Sequence, residues 1–331
     1  MKTVKRHYIL AALLLGGSAA LMAQSDSDPF PDPEYNTQYN MSITGQVRIN
    51  GEALPDGTIV AAYCGDEIRG KEVIFSQGPY INLLMIVISG DRNGDPLHFK
   101  VFTEGRIIET DPGIVFESDL ELGRIKNYYY IDLPAPIVST PSTEGWATTC
   151  LPFNAAVPEG VKIWNATGIE DGELVMEEVT GTILPANTPV LLQSEGKTSY
   201  EWLSRVAEGN VSTEGCIFKG TTETTTVEAS SVLTLGHNND SGEIGFWCFS
   251  GTSIPAYRAY IDEFPTGMRG VPIRPDHTTG IQTIDSSTKG RLQSDNGQLM
   301  TNDVYYDLSG RRVENPTKGM FIVNGQKVVI K

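Results

Sequence analysis

Apolar residues at every second position, cut into short runs by turn residues, constrain this chain more than any other feature. Met41, Ile43, Val47 and Ile49 alternate with polar neighbours, the period of a strand with one face buried. Asn50-Gly51 and Pro55-Asp56-Gly57 are turn signals, and residues 58–63 read as the next strand. Residues 68–75 give another, and the apolar run 81–88 is long enough for a central strand. Leu97, Phe99 and Val101 alternate again, and short strands follow at 106–110, 114–117 and 127–133. Strands at this spacing, with no helical period between them, predict a β-sandwich-like domain over 41–134.

Prolines and hydroxyl residues in 135–143 predict a linker. A second β-rich domain is expected over 144–263, and it holds all four tryptophans: Trp146, Trp164, Trp202 and Trp247. Residues 264–301 turn to Pro, Gly, Ser, Thr and Asp and read as an irregular connector. Short strands at 304–307, 320–323 and 327–330, with Ser309-Gly310 and Asn324-Gly325 as turns, predict a small C-terminal β-module over 302–331. The fold class is therefore all-β, two sandwich-like domains in tandem plus that module.

The N-terminus carries a different signal. Lys2, Lys5 and Arg6 precede an apolar stretch that closes at Ala23, and a polar stretch opens at Gln24. This is the layout of a secretory signal peptide over 1–23, cleaved between Ala23 and Gln24 and too short for a stable anchor. Residues 24–40, rich in Pro, Asp and Asn, read as a flexible leader. The expected location is outside the cell, with no transmembrane span in the mature chain. Cleavage removes three basic and no acidic residues from totals of 25 and 41, leaving a net charge of −19. So acidic a chain repels nucleic acid and anionic lipid. From Gly280 on there are seven Lys/Arg and five Asp/Glu, so the tail is slightly basic while the body carries the acidic excess.

Three stretches resemble known proteins. The tail VYYDLSGRRVENPTKGMFIVNGQKVVIK resembles the C-terminal sorting modules of Bacteroidetes-type surface proteins exported by the type IX route. The matching positions include Tyr306, Asp307, Gly310, Arg311, Gly319, Gly325 and Lys327, and the clear match covers about the last thirty residues. Gly145–Thr148, Leu151–Phe153, Glu159–Val161, Pro185–Val190 and Ser250–Ile261 look like features of a β-domain recurrent in such proteins. GEALPDGTIVAAYCGDEIRGKE with LHFKVF resembles a companion module. The resemblance implies a multi-domain surface protein that meets the export machinery through its tail, and it brings no catalytic residue.

The chemistry-bearing residues are sparse. The mature chain has His98, His237 and His277, widely spaced, with neither a zinc-binding cluster nor an HExxH motif. Asp91-Arg92-Asn93-Gly94-Asp95 begins like a calcium loop, but Pro96 and Phe102 stand where glycine and the acidic ligand belong, so it reads as a turn. Cys64, Cys150, Cys216 and Cys248 show no CxxC spacing, and their pairing is open. Neither a nucleophile elbow nor a phosphate-binding glycine loop is present. The expectation is a non-enzyme without cofactor or metal site, with a structural or adhesive role. Another surface protein or a surface glycan is the expected partner. For a glycan, Trp164 and Trp202, flanked by Asn165 and Glu201, are the candidate contacts, because aromatic faces stack on sugar rings. Trp146 and Trp247, next to apolar neighbours, are expected to point inward.

Overall fold

The computed structural model describes residues 28–34, 36–274, 282–284, 305–307, 311–313, 319–323 and 326–330. Every regular element among them is a β-strand, as the alternating pattern requires. None of the described segments is a helix long and apolar enough to cross a membrane. The signal segment and its junction at Ala23 and Gln24 lie outside the described residues. The chain divides into two compact units, residues 1–133 and 134–331.

In the first unit one sheet runs in the order Tyr129–Leu133, Tyr39–Ile49, Tyr80–Gly90, Phe75–Gln77. The other runs Glu67–Val73, Ile59–Cys64, Pro96–Thr103, Arg106–Val115. Tyr39–Ile49 is antiparallel to Tyr80–Gly90, with Ile43 opposite Ile86, and parallel to Tyr129–Leu133, with Val47 opposite Ile131. The alternation read from sequence is the alternation of burial: Met41, Ile43, Gly45 and Val47 are buried, and Ser42, Thr44 and Gln46 between them are not. The parallel neighbour comes so close at Gly45 that a Cβ there would lie 1.9 Å from the Tyr129 carbonyl oxygen. The two sheets meet along both edges. Ser89 Oγ donates to the Arg69 carbonyl at 3.1 Å, and Thr110 Oγ1 donates to the Asp132 carbonyl at 3.2 Å.

The run 81–88 departs from its expectation on one face. Leu84, Ile86 and Ile88 are buried, whereas Ile81, Met85 and Val87 are exposed, so this strand is flanked by neighbours but solvated on its outer side. The leader is a clearer correction. Residues 28–34, expected to be flexible, lie against the outer face of the second sheet. Phe30 is buried with Ile59, Ala61 and Tyr63, and Ile68, Phe102 and Ile107 pack around them. The Lys71 ammonium donates to Asp28 Oδ2 at 2.8 Å and to the Phe30 carbonyl at 3.1 Å, and pairs with Asp32 at 2.7 Å.

The second unit also holds two principal sheets. One runs Trp146–Thr149, Val190–Ser194, Val161–Glu170, Glu173–Val179, and the other Lys219–Thr221, Arg258–Ile261, Leu233–His237, Ile244–Cys248, Gly270–Pro272. Two expected connections are structured. Within 135–143, Ile137–Ser139 is a strand antiparallel to Tyr200–Trp202, with Ile137 and Ser139 buried. Within 264–301, Gly270–Pro272 pairs with Ile244–Cys248, and Val271 and Ile273 are buried in the core with Phe246 and Ile261. Gln282–Ile284, in the same expected connector, pairs in parallel with Gln326–Ile330. That pairing joins it to a sheet formed with Gly319–Val323, Tyr305–Tyr306 and Arg312–Val313. The tail is thus β, as its apolar alternation predicts, and takes a strand from upstream.

Candidate functional site

A cleft of about 320 Å³ opens in the second unit where strands of its two principal sheets come together. Trp146–Thr149 supplies Trp146, Ala147 and Thr148; Leu233–His237 supplies Thr234 through His237; Arg258–Ile261 supplies Arg258 and Ala259. Thr140, Ser142, Phe249, Ile254 and Pro255 complete the wall with Ile244. Four hydroxyl-bearing residues therefore line a space otherwise bounded by apolar residues, Gly236, His237 and Arg258.

Local hydrogen bonding fixes each contribution. The Ser142 N–H donates to the Trp146 carbonyl at 2.8 Å, and the Trp146 N–H donates back to Ser142 Oγ at 3.2 Å, closing a tight turn before the strand. Gly145 inside it has φ +85°, and a Cβ there would lie 2.2 Å from the Ser194 carbonyl oxygen, so only glycine fits. Beside this turn Glu144 accepts from Thr143 Oγ1 at 2.8 Å and lies 3.0 Å from His237 Nε2. The Thr143 hydroxyl first, and then His237, hold the Glu144 carboxyl down at about 2, so it is ionised throughout the physiological range.

Arg258 is placed by a strained turn. Tyr257 has φ +61°, rare for an aromatic residue, and its N–H donates to the Thr221 carbonyl at 2.7 Å. Buried Thr221 also donates its hydroxyl to the Pro255 carbonyl at 2.9 Å. The turn is thus held from one strand at both ends, and Arg258 emerges from it half-buried at the cleft wall. Among the described residues its side chain makes one hydrogen bond, a long 3.5 Å contact with the Tyr257 carbonyl.

The candidate glycan contacts are not here. Trp202 is 0% exposed, stacks edge-on with Tyr200, and donates its indole N–H to Ser139 Oγ at 2.9 Å. Trp164 is 5% exposed, packs on Trp146, and donates to Gln193 Oε1 at 3.2 Å. Both are core residues whose N–H groups are satisfied internally, which corrects their assignment as glycan contacts. The polar neighbour that suggested otherwise is itself interior: Asn165 is buried and donates to Glu177 Oε1 and the Glu214 carbonyl. Trp146 is buried as expected, while Trp247, expected inward, is half-buried with its ring over Gly270. Of the tail residues, the Asp307 N–H donates to the Arg311 carbonyl at 2.8 Å and the Arg311 N–H donates to Asp307 Oδ1 at 2.9 Å. Tyr306 stands exposed, Gly319 and Lys327 lie in paired strands, and Gly310 and Gly325 fall outside the described residues.

Among the described residues no group of three or more His, Cys, Asp or Glu is arranged to hold a metal ion. The cysteines are free thiols, and burial pushes the Cys150 thiol up to about 11. Sequence reasoning missed Arg258 and the cleft threonines. Arg258 stood only inside the resembling stretch Ser250–Ile261, and nothing in its spacing marked it. No protein-family model, curated protein or solved structure matches this chain.

Proposed function

We propose that this chain is a non-catalytic, exported surface protein with an adhesive role, and that it binds a saccharide in the cleft of its second unit. The cleft is the observation that carries the reading. Ligand sites are concave, mainly apolar and set with a few convergent polar groups, and this cleft lies at the small end of their usual size range. Hydroxyls of Thr140, Ser142, Thr148 and Thr234 beside Trp146, Leu235 and Phe249 suit a ligand whose faces alternate between hydroxyl and C–H. Export is supported by the charged and apolar segment ending at Ala23, and surface attachment by the resemblance of the tail to sorting modules. In this reading the tail engages the export machinery and takes no part in ligand binding.

A glycan array probed with the exported chain tests the binding role. Reproducible hits are expected, and they should vanish in Gly236→Phe. Residue 236 lines the cleft, and a Cβ there meets no atom within 4 Å, so the side chain starts into open space. Hits that survive this change would place binding elsewhere, and cleavage of a bound glycan would overturn the non-catalytic assignment.

A further inference from the structure

We propose that the saccharide held in this cleft carries a carboxylate, and that Arg258 recognises it. The inference rests on the cleft being the binding site and adds the charge of the ligand. Among the described residues Arg258 has no carboxylate partner, although Asp and Glu number 41 against 25 Lys and Arg in the whole chain. Several other cations among the described residues do have carboxylate partners, although Lys197, Lys219 and Arg269 of the same unit, like Arg258, have none. Arg48 forms a two-point contact with Asp132, Lys71 lies between Asp28 and Asp32, and Arg274 holds both Glu173 and Glu243.

A guanidinium half-withdrawn from water gives up hydration, and among the described residues only the long contact with the Tyr257 carbonyl returns part of it. The surroundings nevertheless commit it to this position. Tyr257 is held at positive φ by Thr221, and its side chain packs against the buried cluster of Ile137, Leu151, Val190 and Trp202, so the backbone cannot relax without disturbing both. Backbone strain that persists beside a cleft is a reason to ask what its geometry serves.

The count of charges narrows the ligand. A planar guanidinium fork matches a carboxylate through two parallel hydrogen bonds. One cation balances one negative charge, and Glu144, ionised and bonded to the cleft residue His237, opposes any further one. A monoanionic sugar acid satisfies this balance, whereas a phosphate dianion leaves an excess.

The test compares two disaccharides of the same linkage, one ending in glucuronate and one in glucose, by calorimetric titration of the exported chain. The glucuronate sugar should bind at least tenfold more tightly, and the advantage should shrink as salt rises. Arg258→Gln should weaken the acid by about tenfold to a hundredfold and the neutral sugar by a much smaller factor. Arg258→Lys, which keeps the charge and loses the fork, should fall between. Circular dichroism and a urea midpoint matching those of the unmodified chain show that these variants fold. Equal affinities in the unmodified chain, or an acid preference that survives Arg258→Gln, would overturn the carboxylate inference and leave the cleft standing as a saccharide site. Failure of both sugars to bind would overturn the cleft reading and this inference together.

Discussion

At the scale of single residues, the tryptophans show what neighbours in sequence can and cannot report. Flanking polarity suggests exposure only when the strand alternates, so that a polar neighbour points opposite to an apolar one. Around Trp164 it does not: Ile163, Trp164, Asn165 and Ala166 are all buried, because the strand is covered on both faces. The same limit hid the cleft. Trp146 and Thr148 stand more than eighty residues before Thr234 and over a hundred before Arg258, and only folding brings these segments to one wall. Iodide quenching separates the tryptophans physically. Emission from Trp164 and Trp202 should resist iodide in the native protein, and Trp247→Phe should remove most of the quenchable signal. Loss of that signal in Trp202→Phe instead would contradict the assigned core.

Elements were legible where the period was sustained and lost where a segment is held by side chains alone. Residues 39–49 show the alternation plainly and form the strand Tyr39–Ile49. Residues 28–34 contain one large apolar residue among prolines and acids, so no period could announce their docking. What holds them is forty residues away: the Lys71 ammonium, and the apolar patch around Tyr63. Burial alone would raise the Asp28 carboxyl, but the hydrogen bond from Lys71 and the Phe30 N–H outweigh it and hold the carboxyl below its ordinary value. A depressed carboxyl stabilises the folded state above its unfolded pKa, and that contribution is lost as pH falls through the lowered value. Phe30→Ala should release the segment and reduce the stability of the first unit by at most about 3 kcal/mol, the worth of one buried aromatic side chain. The rest of the sheet should persist. Limited proteolysis checks this: cleavage within 28–38 should become fast while the body of the unit resists. An unchanged cleavage pattern would mean that Phe30 does not hold the segment.

At the scale of the whole molecule, composition gave the order of modules, and packing moved their edges. A stretch rich in Pro, Ser and Thr reads as a linker because such residues rarely fill a core. Yet two side chains of 135–143 are enough to seat a strand, since Ile137 and Ser139 face inward and Ser139 accepts the Trp202 indole. Likewise Val271 and Ile273 carry residues 270–273 into the core despite the glycines and prolines around them. The consequence can be measured on fragments. A fragment cut at the compositional boundaries, residues 144–263, lacks both segments, while residues 134–274 keep them. Ile137, Val271 and Ile273 are each at most 8% exposed, and full burial of such a side chain is worth about 1.5–3 kcal/mol. Losing three of them costs about 5–9 kcal/mol, comparable with the entire stability of an ordinary domain. The shorter fragment should therefore unfold at much lower urea or aggregate, and the longer one should unfold in a single cooperative step. The shorter fragment also lacks Thr140 and Ser142 from the cleft wall, so saccharide binding should be retained by 134–274 and lost by 144–263. Equal urea midpoints for the two would show that the strands at 137–139 and 270–272 are appended to a core complete without them.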